Sequence, residues 1–151
     1  REKLWSPATA RTALVDLLPS VDVLFVAERD AREVLALDGD AEQMARDLTA
    51  EYDFETVVVT LGEEGALALH DGTVTRQETF PADTVDPLGS GDAFASGFLA
   101  ERMDGAPVED ALAYGAATAA LKRTVEGDMA RVSPDEVRAL VEDGGKTDIE
   151  R

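Results

Sequence analysis

Residues 56–61, Thr-Val-Val-Val-Thr-Leu, limit the fold more than any other stretch. They are β-branched or apolar at every position, so both faces of the strand they form must be covered, as in a parallel sheet flanked by helices. A second apolar run, 21–26, is expected to be another buried strand. Between and around them lie helix signals. Ser6-Pro7 is an N-cap followed by proline at the first helical position, predicting a helix continuing over 8–18. A short helix is expected over 30–37, stopped by Asp38-Gly39-Asp40, and another over 41–52. Gly62-Glu63-Glu64-Gly65 then makes a turn, and 66–70 and 74–78 flank Asp71-Gly72, a hairpin signal. Helices are predicted from Asp92 to about 103 and over 108–124, the latter so rich in alanine that it should pack inside. Ser133-Pro134-Asp135-Glu136 opens a last helix to about 142. This order describes part of a doubly wound α/β domain over residues 1–143, with a polar tail at 144–151 and a sheet too small to be complete.

A chain of 151 residues can bury a real core. It opens on Arg1 rather than Met and is expected to be a fragment of a longer protein. No apolar run approaches the roughly 18 residues needed to cross a bilayer. Cysteine is absent and His70 is the single histidine, which excludes disulfides, thiolate metal sites and cysteine nucleophiles and agrees with a reducing cytoplasm. Thirty-two acidic against fourteen basic residues give a net charge of -18, a surface that repels nucleic acid and anionic membranes, so neither is an expected partner. The acids accompany regular apolar periodicity and so are not a disordered tail. With lysine confined to Lys3, Lys122 and Lys146, this balance resembles proteins of salt-loving organisms; the alternative is an acidic mesophilic protein.

Chemistry concentrates at Asp86-Pro87-Leu88-Gly89-Ser90-Gly91-Asp92. Gly89, Ser90 and Gly91 let the backbone turn tightly into an apolar helical pattern in which Phe94 and Phe98 stand four apart. Free N–H groups and the positive end of the helix dipole converge at such a place and suit a phosphate. Asp92 adds a proton acceptor beside it, which points to phosphoryl transfer onto a hydroxyl. The plainer alternative is an ordinary turn with an N-capping aspartate.

The string Asp86-Pro87-x-Gly89-Ser90-Gly91-Asp92-x-x-x-Ser96-Gly97-Phe98-Leu99 resembles the second signature of the PfkB, or ribokinase-like, carbohydrate kinases, usually D-T-x-G-A-G-D, with Pro87 in place of Thr and Ser90 in place of Ala. Thr60-Leu61-Gly62-Glu63-Glu64-Gly65, about 30 residues upstream, resembles the segment with which that family lines its nucleotide site. The resemblance implies the C-terminal part of a ribokinase-like doubly wound three-layer α/β sandwich. Its small β lid would lie upstream, leaving room for a homo-oligomer through that lid. It also implies ATP and Mg²⁺ as cofactors, Asp92 as base, the N–H groups of Gly89, Ser90 and Gly91 around the transferring group, and Thr60, Gly62 and Gly65 bordering the nucleotide. Ala27-Glu28-Arg29-Asp30 stands where many members carry N-x-x-E; Asp30 would act on Mg²⁺ through water, or Glu28 or Asp30 merely caps a helix.

Arg1-x-x-Leu4-Trp5-Ser6 and Glu126-Gly127-Asp128 resemble the 2-keto-3-deoxygluconate kinases. That resemblance implies a sugar acid as small-molecule partner alongside ATP, with the terminal hydroxyl of 2-keto-3-deoxygluconate phosphorylated. Arg1 would pair with the carboxylate in bidentate fashion and Asp128 would meet a sugar hydroxyl. A solvated terminus and a turn residue are the plainer readings of those two. Another sugar kinase, a fructokinase or ribokinase, and a non-catalytic nucleotide-binding module are the alternatives. Ser90 lacks the histidine a hydrolase nucleophile needs, His70 sits at a hairpin, and Trp5 and Phe54 are expected as core or groove anchors.

Overall fold

Ser6 accepts the N–H of Thr9 on its hydroxyl at 3.2 Å, and Pro7 occupies the first helical position, so the first helix, α1 (Pro7–Val15), starts where the sequence places it. In this computed structural model, which describes residues 5–144, α1 ends earlier than expected. Pro19 disfavours helical geometry at Leu18 and lacks a donor, so the chain closes into a 3₁₀ turn at Leu18–Ser20 instead. The chain divides into two units, one formed by residues up to 62 together with 67–75, the other by 63–66 and the residues from 76 onward.

The first unit is built on β1 (Val23–Ala27) and β2 (Thr56–Thr60), which run parallel with Val23 opposite Thr56 and Ala27 opposite Thr60. The crossover between them carries α2 (Glu28–Glu33) and α3 (Ala41–Tyr52). β3 (Ala66–His70) and β4 (Thr73–Gln77) complete a sheet of order β1-β2-β3-β4. Val57, Val58 and Val59 are all buried, so both faces of β2 are covered, as its composition requires. β1 forms where the apolar run predicts a strand; its five residues are half-buried, and β2 is its neighbour among the described residues. α2 is displaced from the expected 30–37. It begins directly after β1 and stops once Ala36 turns into left-handed backbone with φ 57°. Asp40 caps α3 by accepting the N–H of Gln43 at 2.8 Å, and Ala41, Ala45 and Leu48 on one helix face join Val57, Val59, Leu67 and Leu69 in the core. Phe54 belongs to that core, whereas Trp5 is 51% exposed and lines a surface groove with Ala8 and Thr12. His70 is a structural residue of the hairpin, with Nδ1 2.9 Å from the Thr56 hydroxyl.

The second unit is three helices, α4 (Ser90–Met103), α5 (Val108–Arg123) and α6 (Pro134–Asp143). Glycines let α4 and α5 approach until backbone meets backbone. A Cβ on Gly97 would overlap the Thr118 hydroxyl and lie 2.9 Å from the Tyr114 carbonyl, and one on Gly115 would lie 2.9 Å from the Phe94 carbonyl. Ala111, Leu112, Ala116, Ala117 and Ala120 of α5 are buried, as its composition predicts. Ser133 and Glu136 form a reciprocal cap at the start of α6, with the Ser133 N–H donated to Glu136 at 2.7 Å and the Glu136 N–H to Ser133 at 3.3 Å. No helix among the described residues is long and apolar enough to cross a membrane.

Candidate active site

The segment before α4 is fixed by one residue. Asp86 accepts the Leu88 N–H at 2.9 Å on Oδ1 and the Gly127 N–H at 3.0 Å on Oδ2, while its own N–H donates to the Arg123 carbonyl at 3.1 Å. Its carbonyl accepts the Lys122 ammonium at 3.0 Å. The Leu88 and Gly127 N–H groups hold the Asp86 carboxyl below the ordinary aspartate range, against an opposing effect of burial and with a lesser contribution from the Lys122 charge.

From this fixed point the chain reaches Gly89, the N-cap of α4, whose φ of 80° is left-handed backbone. A Cβ there would overlap the carbonyl oxygen of Asp128, so Gly89 is needed both for its conformation and for the contact. The helix therefore starts at Ser90, two residues before the expected start, with Gly89 as its N-cap and Ser90 and Gly91 as its first two residues. Ser90 is turned inward: its N–H and hydroxyl both donate to the Pro87 carbonyl, at 3.2 and 2.6 Å. Gly91 and Asp92, second and third in the helix, present N–H groups that no preceding carbonyl of the helix can accept. The space where a Gly91 side chain would stand is open to 4 Å. Open space, free donors and a dipole end fit a phosphoryl group.

Asp92 is exposed in the first turn of α4 and lines a groove of about 400 Å³. The groove wall also includes Gly89, Ser96, Asp128 and Ser133. The structure thus brings Asp92 and Asp128, singled out from separate motifs, to one groove. Asp92 places a side-chain carboxyl group in the first turn of α4 beside these N–H donors, an arrangement that can take a proton from a hydroxyl while the donors hold an anion.

The remaining expected residues lie elsewhere. Thr60 ends β2, and Gly62 opens a 3₁₀ turn at Gly62–Glu64, both in residues assigned to the first unit or its boundary. Gly65 has a structural reason of its own, since a Cβ there would overlap the Gln77 carbonyl oxygen. Asp30 lies inside α2 rather than capping it and pairs with Arg29 at 3.2 Å. Among the described residues no three His, Cys, Asp or Glu side chains group to hold a metal, so Mg²⁺ would depend on phosphate oxygens and water for most of its ligands. Arg1 lies outside the described residues. Sequence reasoning missed Lys122, whose side chain is fully buried and donates to Asp86 and Val125. The signal was there: one lysine on an otherwise small, apolar helix face.

A parallel crossover followed by a glycine turn fixed against the start of a helix is the layout of a ribokinase-like α/β kinase domain. The family model described as pfkB family carbohydrate kinase matches residues 1–135. A 2-dehydro-3-deoxygalactonokinase of Haloferax volcanii is 60% identical over 151 residues, covering 100% of this chain and 47% of that protein. The crystal structure of 2-dehydro-3-deoxygluconokinase from Thermotoga maritima is similar with a TM-score of 0.82 and 26% identity, over 94% of this chain and 47% of that one. A putative ribokinase II from E. coli in complex with ATP and Mg²⁺ is similar with a TM-score of 0.79 and 26% identity, over 87% of this chain and 42% of that one. The chain belongs to the pfkB family of carbohydrate kinases. It spans about half the length of the relatives it matches.

Proposed function

We propose that these residues form the catalytic part of an ATP-dependent kinase that phosphorylates the terminal primary hydroxyl of a 2-dehydro-3-deoxyhexonate. The observation that carries this reading is Asp92 in the first turn of α4, beside the free N–H groups of Gly91 and Asp92 and in one groove with Asp128. Asp92 takes the proton from the sugar hydroxyl as that oxygen attacks the γ-phosphorus of ATP, and ADP leaves. The N–H donors at the start of α4 hold the transferring group, and the helix dipole adds to their effect. Thr60, Gly62 and Gly65 border the nucleotide, Asp128 receives a sugar hydroxyl and Arg1 the carboxylate. Mg²⁺ supplies charge neutralisation on the phosphates, with Asp30 reaching it through water.

The sequence motifs point to the gluconate epimer. The 60% identity to a galactonate-epimer kinase over this whole chain supports the galactonate epimer more strongly than the 26% identity of the gluconate-kinase structure supports the other. We therefore infer that 2-dehydro-3-deoxygalactonate is the better substrate. The test is ADP production by the full-length protein with MgATP and each epimer, with fructose as the neutral comparison. A higher kcat/KM on the galactonate epimer supports the reading. Higher activity on fructose removes the sugar-acid assignment, and nucleotide binding without turnover on any sugar makes the protein a binding module.

A further inference from the structure

Lys122 sits on α5 with 0% of its surface exposed. An ammonium in that setting must be fully hydrogen-bonded or it is strongly destabilising. Its Nζ donates to the Asp86 carbonyl at 3.0 Å and to the Val125 carbonyl at 3.2 Å. Those two carbonyls belong to the two segments that meet at the groove: Asp86 leads through Pro87 and Leu88 to Gly89, and Val125 leads through Glu126 and Gly127 to Asp128. The same two segments touch again at Asp86 and Gly127 and at Gly89 and Asp128. Lys122 is the root of that pairing.

We propose that Lys122 is a positioning residue for phosphoryl transfer: its buried ammonium ties the Asp86 and Val125 segments together and so sets where Asp92 and the free N–H groups stand relative to Asp128. The proposal rests on the kinase reading above. It does not place Lys122 against substrate. Removing the ammonium takes its donor from two carbonyls of half-buried residues and lets the segments separate, and a displacement near 1 Å at a reacting centre costs roughly a hundredfold in rate. The chemical identity of the tie matters, because only a group with several N–H donors serves both carbonyls at once.

The experiment uses the full-length protein with MgATP and a 2-dehydro-3-deoxyhexonate, comparing wild type, Lys122→Met and Lys122→Ala, the last with and without methylammonium or tetramethylammonium. Wild-type turnover is the separate check on the kinase reading; its absence refutes that reading alone. Given turnover, Lys122→Met should keep its fold by circular dichroism and lose kcat about tenfold to a hundredfold, with KM for both substrates within about threefold. Methylammonium should restore much of the kcat of Lys122→Ala, and tetramethylammonium, which has no N–H, should not. Unchanged kcat in Lys122→Met overturns the proposal. So does a methylammonium effect on melting temperature without one on kcat, or failure of both variants to fold even with methylammonium, since Lys122 is then a residue of the fold alone.

Discussion

The carboxylate of Asp86 accepts the N–H of Gly127 at 3.0 Å across 41 residues of sequence. With the contact between Gly89 and the Asp128 carbonyl, it joins the glycine turn before α4 to the Glu126-Gly127-Asp128 segment, two motifs that the sequence presents far apart. Gly89 and Asp128, one from each of these loops, both line the groove that holds Asp92.

That junction is pH-dependent. The folded-state pKa of Asp86 lies below its ordinary value of 3.8, so the unfolded chain takes up the proton first as pH falls. The contribution of Asp86 is therefore complete above pH 4 to 5 and is lost as pH falls through the lowered folded value. In Asp86→Asn one of the two N–H groups loses its acceptor, because an amide offers a single oxygen. The variant should melt below wild type at pH 7, and the difference should narrow below about pH 4. A constant difference from pH 7 to pH 3 would show that the charge of Asp86 is not what holds the loops.

The glycines of the turn have opposite expectations. Gly89→Ala forces a side chain into left-handed backbone, a cost of about 1 to 2 kcal/mol before its overlap with the Asp128 carbonyl is counted. It should lower both the melting temperature and kcat. Gly91 is in helical backbone with open space around it, and alanine there restricts the unfolded chain, worth about 0.4 to 1 kcal/mol of stability. Gly91→Ala should thus melt at or above wild type yet turn over more slowly, since its methyl stands beside the free donors. Calorimetry and kinase assays on the pair measure both. Equal effects of the two changes on both readouts would refute the assigned roles.

What the sequence disclosed and what it hid have physical explanations. Thr56 to Thr60 announced a strand covered on both faces, and Asp40 and Ser133 announced their helices, because patterning and capping are local. The start of α4 shifted because Gly89 rather than Asp92 makes the entry turn, and a left-handed glycine is not distinguishable in sequence from its neighbours Ser90 and Gly91. The motif resemblance singled out Asp92 and Asp128, whereas the contacts around them, Asp86 with Gly127 and Lys122 with Asp86, are long-range in sequence.

Salt should stabilise the protein. Eighteen acidic charges are uncompensated, and exposed pairs such as Arg46 with Glu42 at 2.9 Å and Arg32 with Glu28 at 2.8 Å are worth only about 0.2 to 1 kcal/mol each. Raising salt from 0.1 M to 1 M shortens the screening length from about 10 Å to about 3 Å, which removes more repulsion between spread carboxylates than attraction in these few contacts. The melting temperature should rise in molar KCl. Equal melting in dilute and molar salt would count against adaptation to brine, which the 60% identity to a Haloferax volcanii protein supports.

The last prediction separates proton removal from helix formation at Asp92. Asparagine is nearly the same size and can occupy the first turn of α4, but it has no carboxylate to take a proton. Losing the dipole interaction of Asp92 costs about 0.3 to 1 kcal/mol, a small effect on folding. Loss of a general base costs about a hundredfold to ten-thousandfold in rate. In the full-length protein Asp92→Asn should therefore melt within a few degrees of wild type and still bind MgATP, while kcat for the sugar acid falls by that larger factor. Asp92→Glu, which restores a carboxylate one methylene further out, should recover part of the loss. If Asp92→Asn turns over near the wild-type rate, the base is another group and the groove shared with Asp128 serves binding alone.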